Sequence, residues 1–119
     1  MITSVQVVSV PVRDQERARE FYVETLGMEV VNDAAFDNQR WIEVRPQGSA
    51  TSLTLVTWFE SMPAGSLSGL VFAADDVQTT CDALKAKGVT FEMELTELPW
   101  GRQAVFLDPD GNRLVLSGR

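Results

Sequence analysis

The 119-residue chain contains no histidine and a single cysteine. Without imidazole there can be no Ser–His or Cys–His nucleophile pair, no histidine general base and no histidine-ligated metal. One cysteine cannot close an intramolecular disulfide, so nothing requires an oxidising compartment. Positive charge is scarce too. Ten Lys and Arg stand against 17 Asp and Glu, a net charge of −7, and the basic residues nowhere cluster. Neither a nucleic-acid partner nor an anionic membrane surface is therefore expected. No apolar run approaches the roughly 18 residues of a membrane span. The opening Met1-Ile2-Thr3-Ser4-Val5-Gln6 has neither the basic n-region nor the apolar h-region of a signal peptide. The expectation is a cytoplasmic single domain, residues 1–119.

What the chain does have is a pattern that occurs twice. Val5 to Val12 is rich in β-branched residues and reads as a buried strand. Asp14 then stands where a helix N-cap belongs and Gly27 where a C′ residue would end the helix. Between them Ala18, Phe21, Tyr22 and Leu26 form one apolar stripe. Strands are predicted at Met28–Val31, Arg40–Val44 and Thr51–Trp58. The second half repeats this order. Gly69–Ala73 reads as a strand, Asp75-Asp76 as a cap, and Val77, Thr80, Cys81 and Leu84 as an inner stripe closed by Gly88. Val89–Phe91, Gln103–Leu107 and Arg113–Ser117 complete it. Asp14 to Gly27 spans 13 residues and so does Asp75 to Gly88, with the capping aspartates 61 apart. A self-similarity of that period predicts two tandem βαβββ modules. Module 1 covers about 1–60, a linker about 61–66, and module 2 about 67–119.

Between strands the punctuation is that of turns. Ser61 to Ser68 joins the halves, and Asp108-Pro109-Asp110-Gly111-Asn112 fits a type I turn with Pro at i+1 and Gly at i+3. A calcium loop starting at Asp108 would need Gly at its sixth position and Glu at its twelfth. Those positions hold Arg113 and Arg119. Cys81 reads as a packing residue and not a nucleophile, and Glu92, Glu94 and Glu97 as the wet face of a strand.

Val10-Pro11-Val12-Arg13-Asp14, followed by Ala18, Phe21-Tyr22 and Leu26-Gly27-Met28, resembles the opening of the vicinal oxygen chelate superfamily. The glyoxalases, bleomycin-resistance proteins and extradiol dioxygenases are its members. Asp75-Asp76-Val77, Lys87-Gly88-Val89, Pro99-Trp100-Gly101 and Asp108-Pro109-Asp110-Gly111-Asn112 resemble its second module, so the likeness covers essentially the whole chain. It implies an α+β fold: a curved mixed sheet around a cavity, with the helices on the outer face. It also implies a small-molecule partner and a homodimer.

The metal enzymes of that family place their ligands at positions that correspond here to Val7, Thr54, Gly69 and Val115. Two valines, a glycine and a lone hydroxyl make a poor set for a divalent cation. No metal and no other cofactor is expected. With those positions facing the cavity, strand alternation also brings Val5, Ser9, Ser52, Val56, Arg113 and Ser117 to that face. The opposite parity (Val8, Val10, Val12, Leu53, Leu55, Leu70, Phe72, Leu114, Leu116) is uniformly apolar, as a helix-covered face should be. Trp41 and Glu43 share a parity, leaving Ile42 and Val44 for the core. Trp41 is a candidate stacking surface for a planar ligand, or else a plug or a subunit contact. Glu43 is either the group that moves a proton or a solvated or arginine-paired carboxylate. Trp100, beside Arg102 and Gln103, either rims the pocket or packs on Glu94–Leu98. Trp58-Phe59, with Met62 and Leu67, offers an apolar patch suited to a subunit contact or a lid. The candidate ligand-binding residues are thus Val7, Ser9, Trp41, Thr54, Val56, Trp100, Gln103, Arg113 and Val115. Two functions compete: a metal-independent protein that binds a small hydrophobic or aromatic molecule, and a lyase- or isomerase-type enzyme that uses Glu43 in place of a metal.

Overall fold

A computed structural model describes residues 1–118. The chain forms two compact units, the first being Met1–Ala64 and the second starting at Gly65. Each is one βαβββ module of an α+β fold. The first contains β1 (Val7–Pro11), α1 (Gln15–Glu20), a π-helical turn (Phe21–Thr25), β2 (Glu29–Phe36), β3 (Gln39–Arg45) and β4 (Ser52–Val56). The second contains β5 (Leu70–Ala74), α2 (Val77–Ala86), β6 (Phe91–Leu98), β7 (Gly101–Leu107) and β8 (Arg113–Gly118). The strands form two four-stranded mixed sheets, ordered β1-β4-β3-β2 and β5-β8-β7-β6. In each, the first strand runs parallel to the last and the other pairs are antiparallel.

Alternation sets the helix-facing side of each sheet, although β4 is buried along its whole length, Ser52, Thr54 and Val56 included. In module 1, Val10, Ile42, Val44, Leu53 and Leu55 are buried, as are Ala18 and Tyr22 of the helical segment. In module 2 the same role falls to Ala104, Phe106, Leu114 and Leu116 with Val77, Cys81 and Leu84 of α2. Each large apolar side chain so placed contributes about 1.5–3 kcal/mol. Cys81 lies in this stripe, and burial pushes its thiol above the usual range. Among the described residues no helix is long and apolar enough to cross a membrane.

The two helical segments differ by one residue. Asp14 Oδ1 accepts the Arg17 amide at 3.1 Å, and Asp76 Oδ1 accepts the Thr79 amide at 3.0 Å. The second cap is therefore Asp76 and not Asp75. Measured from the true caps, cap to closing glycine is 13 residues in module 1 and 12 in module 2. The surplus residue is absorbed as a π turn, in which the Leu26 amide reaches the Phe21 carbonyl at 3.0 Å. The closing bonds widen with it. Gly88 and Val89 donate to Lys85 and Leu84, the usual pair at a helix end, whereas Gly27 and Met28 donate to Val23 and Tyr22, each one residue longer.

The second strand of module 1 is longer than its sequence suggests, and that of module 2 starts at Phe91 and not at Val89. β2 continues past Val31 to Phe36, and β6 runs from Phe91 to Leu98. The register shifts once along β2, between Val30 and Asn32, and twice along β6, between Phe91 and Met93 and between Met93 and Thr96. Asp37 and Asn38, with φ of 45° and 64°, make the two-residue type I′ turn into β3. On the helix side of module 1, Arg40 holds both oxygens of Asp33 at 2.8 Å and reaches Glu16, while Arg19 adds a second contact to Asp33. The Arg40 guanidinium holds the Asp33 carboxyl below the usual aspartate range. Asp33 and Glu16 in turn push Arg40 up.

The turn between β7 and β8 closes with the Gly111 amide on the Asp108 carbonyl at 3.0 Å. It is also a buried polar core. Asp108 Oδ1 accepts the amides of Asp110 and Asn112, both at 2.9 Å, and Asp108 Oδ2 accepts Asn112 Nδ2 at 2.7 Å. Asn112 Oδ1 then accepts the Leu67 amide at 3.0 Å, and the Arg113 amide donates to the Leu67 carbonyl at 2.8 Å. Asn112 thereby ties the segment before β5 to the far end of its own module.

Candidate functional site

The face of the first sheet opposite α1 takes its residues from a fixed register. Val7 pairs with Ser52, Ser9 with Thr54 and Pro11 with Val56; Thr54 also pairs with Glu43, which pairs with Asn32. Trp41 lies two residues from Glu43 and so shares its face. Val7, Ser9, Trp41, Glu43, Thr54 and Val56 are thus gathered on one surface. Thr54 is 1% exposed, and its hydroxyl lies 3.3 Å from that of Ser9.

Aromatic rings occupy one end of this surface. The indoles of Trp41 and Trp58 stack with centroids 6.4 Å apart and planes inclined by 22°, and Phe59 lies 6.3 Å beyond Trp58. Trp41 Nε1–H donates to Glu43 Oε1 at 3.2 Å. The stack sets Trp58, a candidate for a subunit contact or lid, beside Trp41. No spacing in the sequence announces that pair, because 17 residues and a strand separate the two rings. Strands β3 and β4 are in register only at Glu43–Thr54 and Val44–Leu53. On the helix side Gln15 spans the next stretch, its Nε2 donating to the carbonyls of Arg40 at 2.6 Å and Leu55 at 2.8 Å. A glutamine at the start of α1 is an ordinary surface residue by sequence, so this role was invisible there.

Module 2 places the other candidates separately. Gln103 pairs with Ser117, and Val115 with Val71 and Val105, on the face away from α2. Arg113 is engaged by Glu92, its Nε lying 2.8 Å from both carboxylate oxygens. Trp100 sits at the tip of the β6–β7 hairpin and is 72% exposed.

Val7, Thr54, Gly69 and Val115, where metal enzymes of this fold would carry ligands, present one side-chain donor between them. That donor, the Thr54 hydroxyl, is already engaged by Ser9. Among the described residues no three His, Cys, Asp or Glu side chains come close enough to hold a metal ion. The residues present do not fit a divalent cation.

This duplicated βαβββ frame with its modified ligand positions has relatives. Residues 4–116 match the Glyoxalase/Bleomycin resistance protein/Dioxygenase superfamily, and the chain belongs to it. TnmS3, an antibiotic binding protein from Streptomyces sp. CB03234, is 49% identical, with 98% of this chain and 96% of that one covered at a TM-score of 0.95. A glyoxalase/bleomycin resistance protein from the same organism is 48% identical, covers 96% and 99%, and superposes with a TM-score of 0.88. Protein YetH of Bacillus subtilis (strain 168) is 33% identical over 120 residues, 98% of each chain.

Proposed function

We propose that the protein binds a small, planar, hydrophobic or aromatic molecule without a metal, using the stacked Trp41 and Trp58 as its platform. The observation that carries this reading is a paired indole surface beside a row of small and hydroxylated side chains, where the fold would otherwise hold metal ligands. Indole faces favour planar partners, worth about 1–3 kcal/mol per stacked ring. The likeness to an antibiotic binding protein over nearly the whole chain supports it. Val7, Ser9, Thr54 and Val56 belong to the face that carries the platform; Trp100, Gln103, Arg113 and Val115 are the candidates of module 2 taken by itself.

A cytoplasmic homodimer completes the proposal. Support comes from apolar side chains left exposed on sheet edges, Val31 and Phe36 on β2 and Val71 on β5, which a second copy would cover. The competing lyase- or isomerase-type activity through Glu43 has no observation of its own behind it.

Calorimetric titration of chelator-treated protein with acridine, a planar heteroaromatic, tests the reading. Saturable binding without added metal, weakened about tenfold or more in Trp41→Ala, is the expected result. Binding that needs a divalent cation, or is indifferent to Trp41→Ala, would overturn it. Turnover of any bound compound that Glu43→Gln abolishes would favour the enzyme instead.

A further inference from the structure

Three central residues of the first sheet stand level with one another across three strands: Ser9 on β1, Thr54 on β4 and Glu43 on β3. Module 2 contains the same row. Val71 on β5 pairs with Val115 on β8, which pairs with Val105 on β7. The offsets between the two rows are 62, 61 and 62 residues, those of the duplication itself. One copy of the fold thus fills these positions with three valines, so the frame has no need of polarity there. Module 1 nonetheless places two hydroxyls and a carboxylate in the row, next to its aromatic stack.

The carboxylate differs in one respect from the ion-paired ones of the chain. Glu16, Glu29, Asp33, Glu92, Glu94 and Glu97 are each paired with an arginine or lysine. Glu43 has no such cation among the described residues. It is half-buried, and the neutral Trp41 N–H takes one of its acceptor positions. A half-buried carboxylate lacking a counter-charge attracts one, and an indole face does the same through its quadrupole. Both act at one end of the same surface, in a chain of net charge −7.

Resting on the binding reading above, we infer that Glu43 is a specificity residue that selects a planar aromatic ligand bearing a positively charged nitrogen. The ring lies against the Trp41–Trp58 platform and the cation meets Glu43. Ser9 adds a neutral hydroxyl beside it, backed by the buried Thr54. A neutral ring of equal size keeps the stacking and loses the charge-assisted bond, and an anionic ring is repelled.

Three probes of one shape separate these contributions by calorimetry on the intact chain: 9-aminoacridine, a cation at neutral pH; acridine, its neutral parent; and the anion anthracene-9-carboxylate. The wild-type protein is expected to bind the cation about tenfold or more tighter than acridine, and the anion weakest. Glu43→Gln should erase the difference between cation and neutral ring. Glu20→Gln, an exposed site on α1 that removes the same net charge, should preserve it. Equal affinity for cation and neutral ring in the wild type overturns the inference whatever the variants do, and leaves the stacking platform standing. A preference that survives Glu43→Gln overturns it too, and so does one that falls equally in both variants, since overall charge would then be the cause. Failure of all three probes to bind overturns the platform and the inference together.

Discussion

Replacing Asn112 with alanine should be among the most damaging single changes in module 2, and its cost can be worked from the hydrogen bonds. Asn112 is fully buried and bridges two others: its Oδ1 takes the Leu67 amide and its Nδ2 donates to Asp108 Oδ2. Alanine deprives a backbone donor and a 5%-exposed carboxylate of those bonds at once. Each unmade bond to a buried group costs about 1–3 kcal/mol, and more where the group is charged, so the loss should be about 3–5 kcal/mol. For a domain whose whole stability is about 5–15 kcal/mol that is a large fraction. Urea unfolding followed by circular dichroism measures it directly, with a lower midpoint and an unchanged slope. Amide exchange at Leu67 should accelerate in parallel. Asn112→Asp sharpens the test, because it keeps the acceptor for Leu67 and sets a second carboxylate against Asp108. Repulsion raises the folded-state pKa of that pair, so the variant should be more stable below about pH 4 and lose stability as pH rises through the raised value. A loss under about 1 kcal/mol for Asn112→Ala, or an Asn112→Asp variant that gains stability with rising pH, would refute the reasoning.

Glycine substitutions in the same module should separate backbone strain from steric overlap. Gly65 and Gly69 have nearly equal φ, +85° and +84°, but a Cβ on Gly65 would lie 2.2 Å from the Asp110 carbonyl oxygen whereas one on Gly69 meets open space. Gly69→Ala should cost about 1 kcal/mol in urea unfolding, and Gly65→Ala clearly more; equal costs would show that the turn yields freely. In module 1 the test is acid titration. Arg40 lowers the Asp33 pKa beneath the 3.8 of a free aspartate, so the pair's stabilisation is complete above that value and is lost as pH falls through the folded-state pKa. Carboxyl NMR should find Asp33 titrating low in the wild type and returning upward in Arg40→Ala.

Much of the frame was readable because it rests on local rules. Alternation sorted Ile42 and Val44 from Trp41 and Glu43, and the aspartate-to-glycine spacing marked both helices. The errors arose where two rules compete or where distant groups meet. Asp75 and Asp76 are equally good caps by composition, and only the bond to the Thr79 amide chooses between them. The end of β2 was missed because a bulge interrupts alternation and Asn and Asp have low strand propensity. Pairing with β3 supplies what propensity does not. Asp108 and Asn112 read as surface turn residues, since short polar side chains favour turns whether or not they are buried. The Trp58 partner of Trp41 depends on the chain's return along β4, which no local pattern encodes.

The wide turn in the first helical segment has a consequence for how such a chain can change. One additional residue in a regular helix rotates everything after it by about 100°, which would turn Gly27 and the strand that follows away from their places. Accommodating the residue as a local widening leaves the phase of the exit untouched, so Gly27 leaves its helix as Gly88 leaves the other. This segment is a point where the gene can gain or lose one codon while the sheet, and whatever that sheet holds, stays in step.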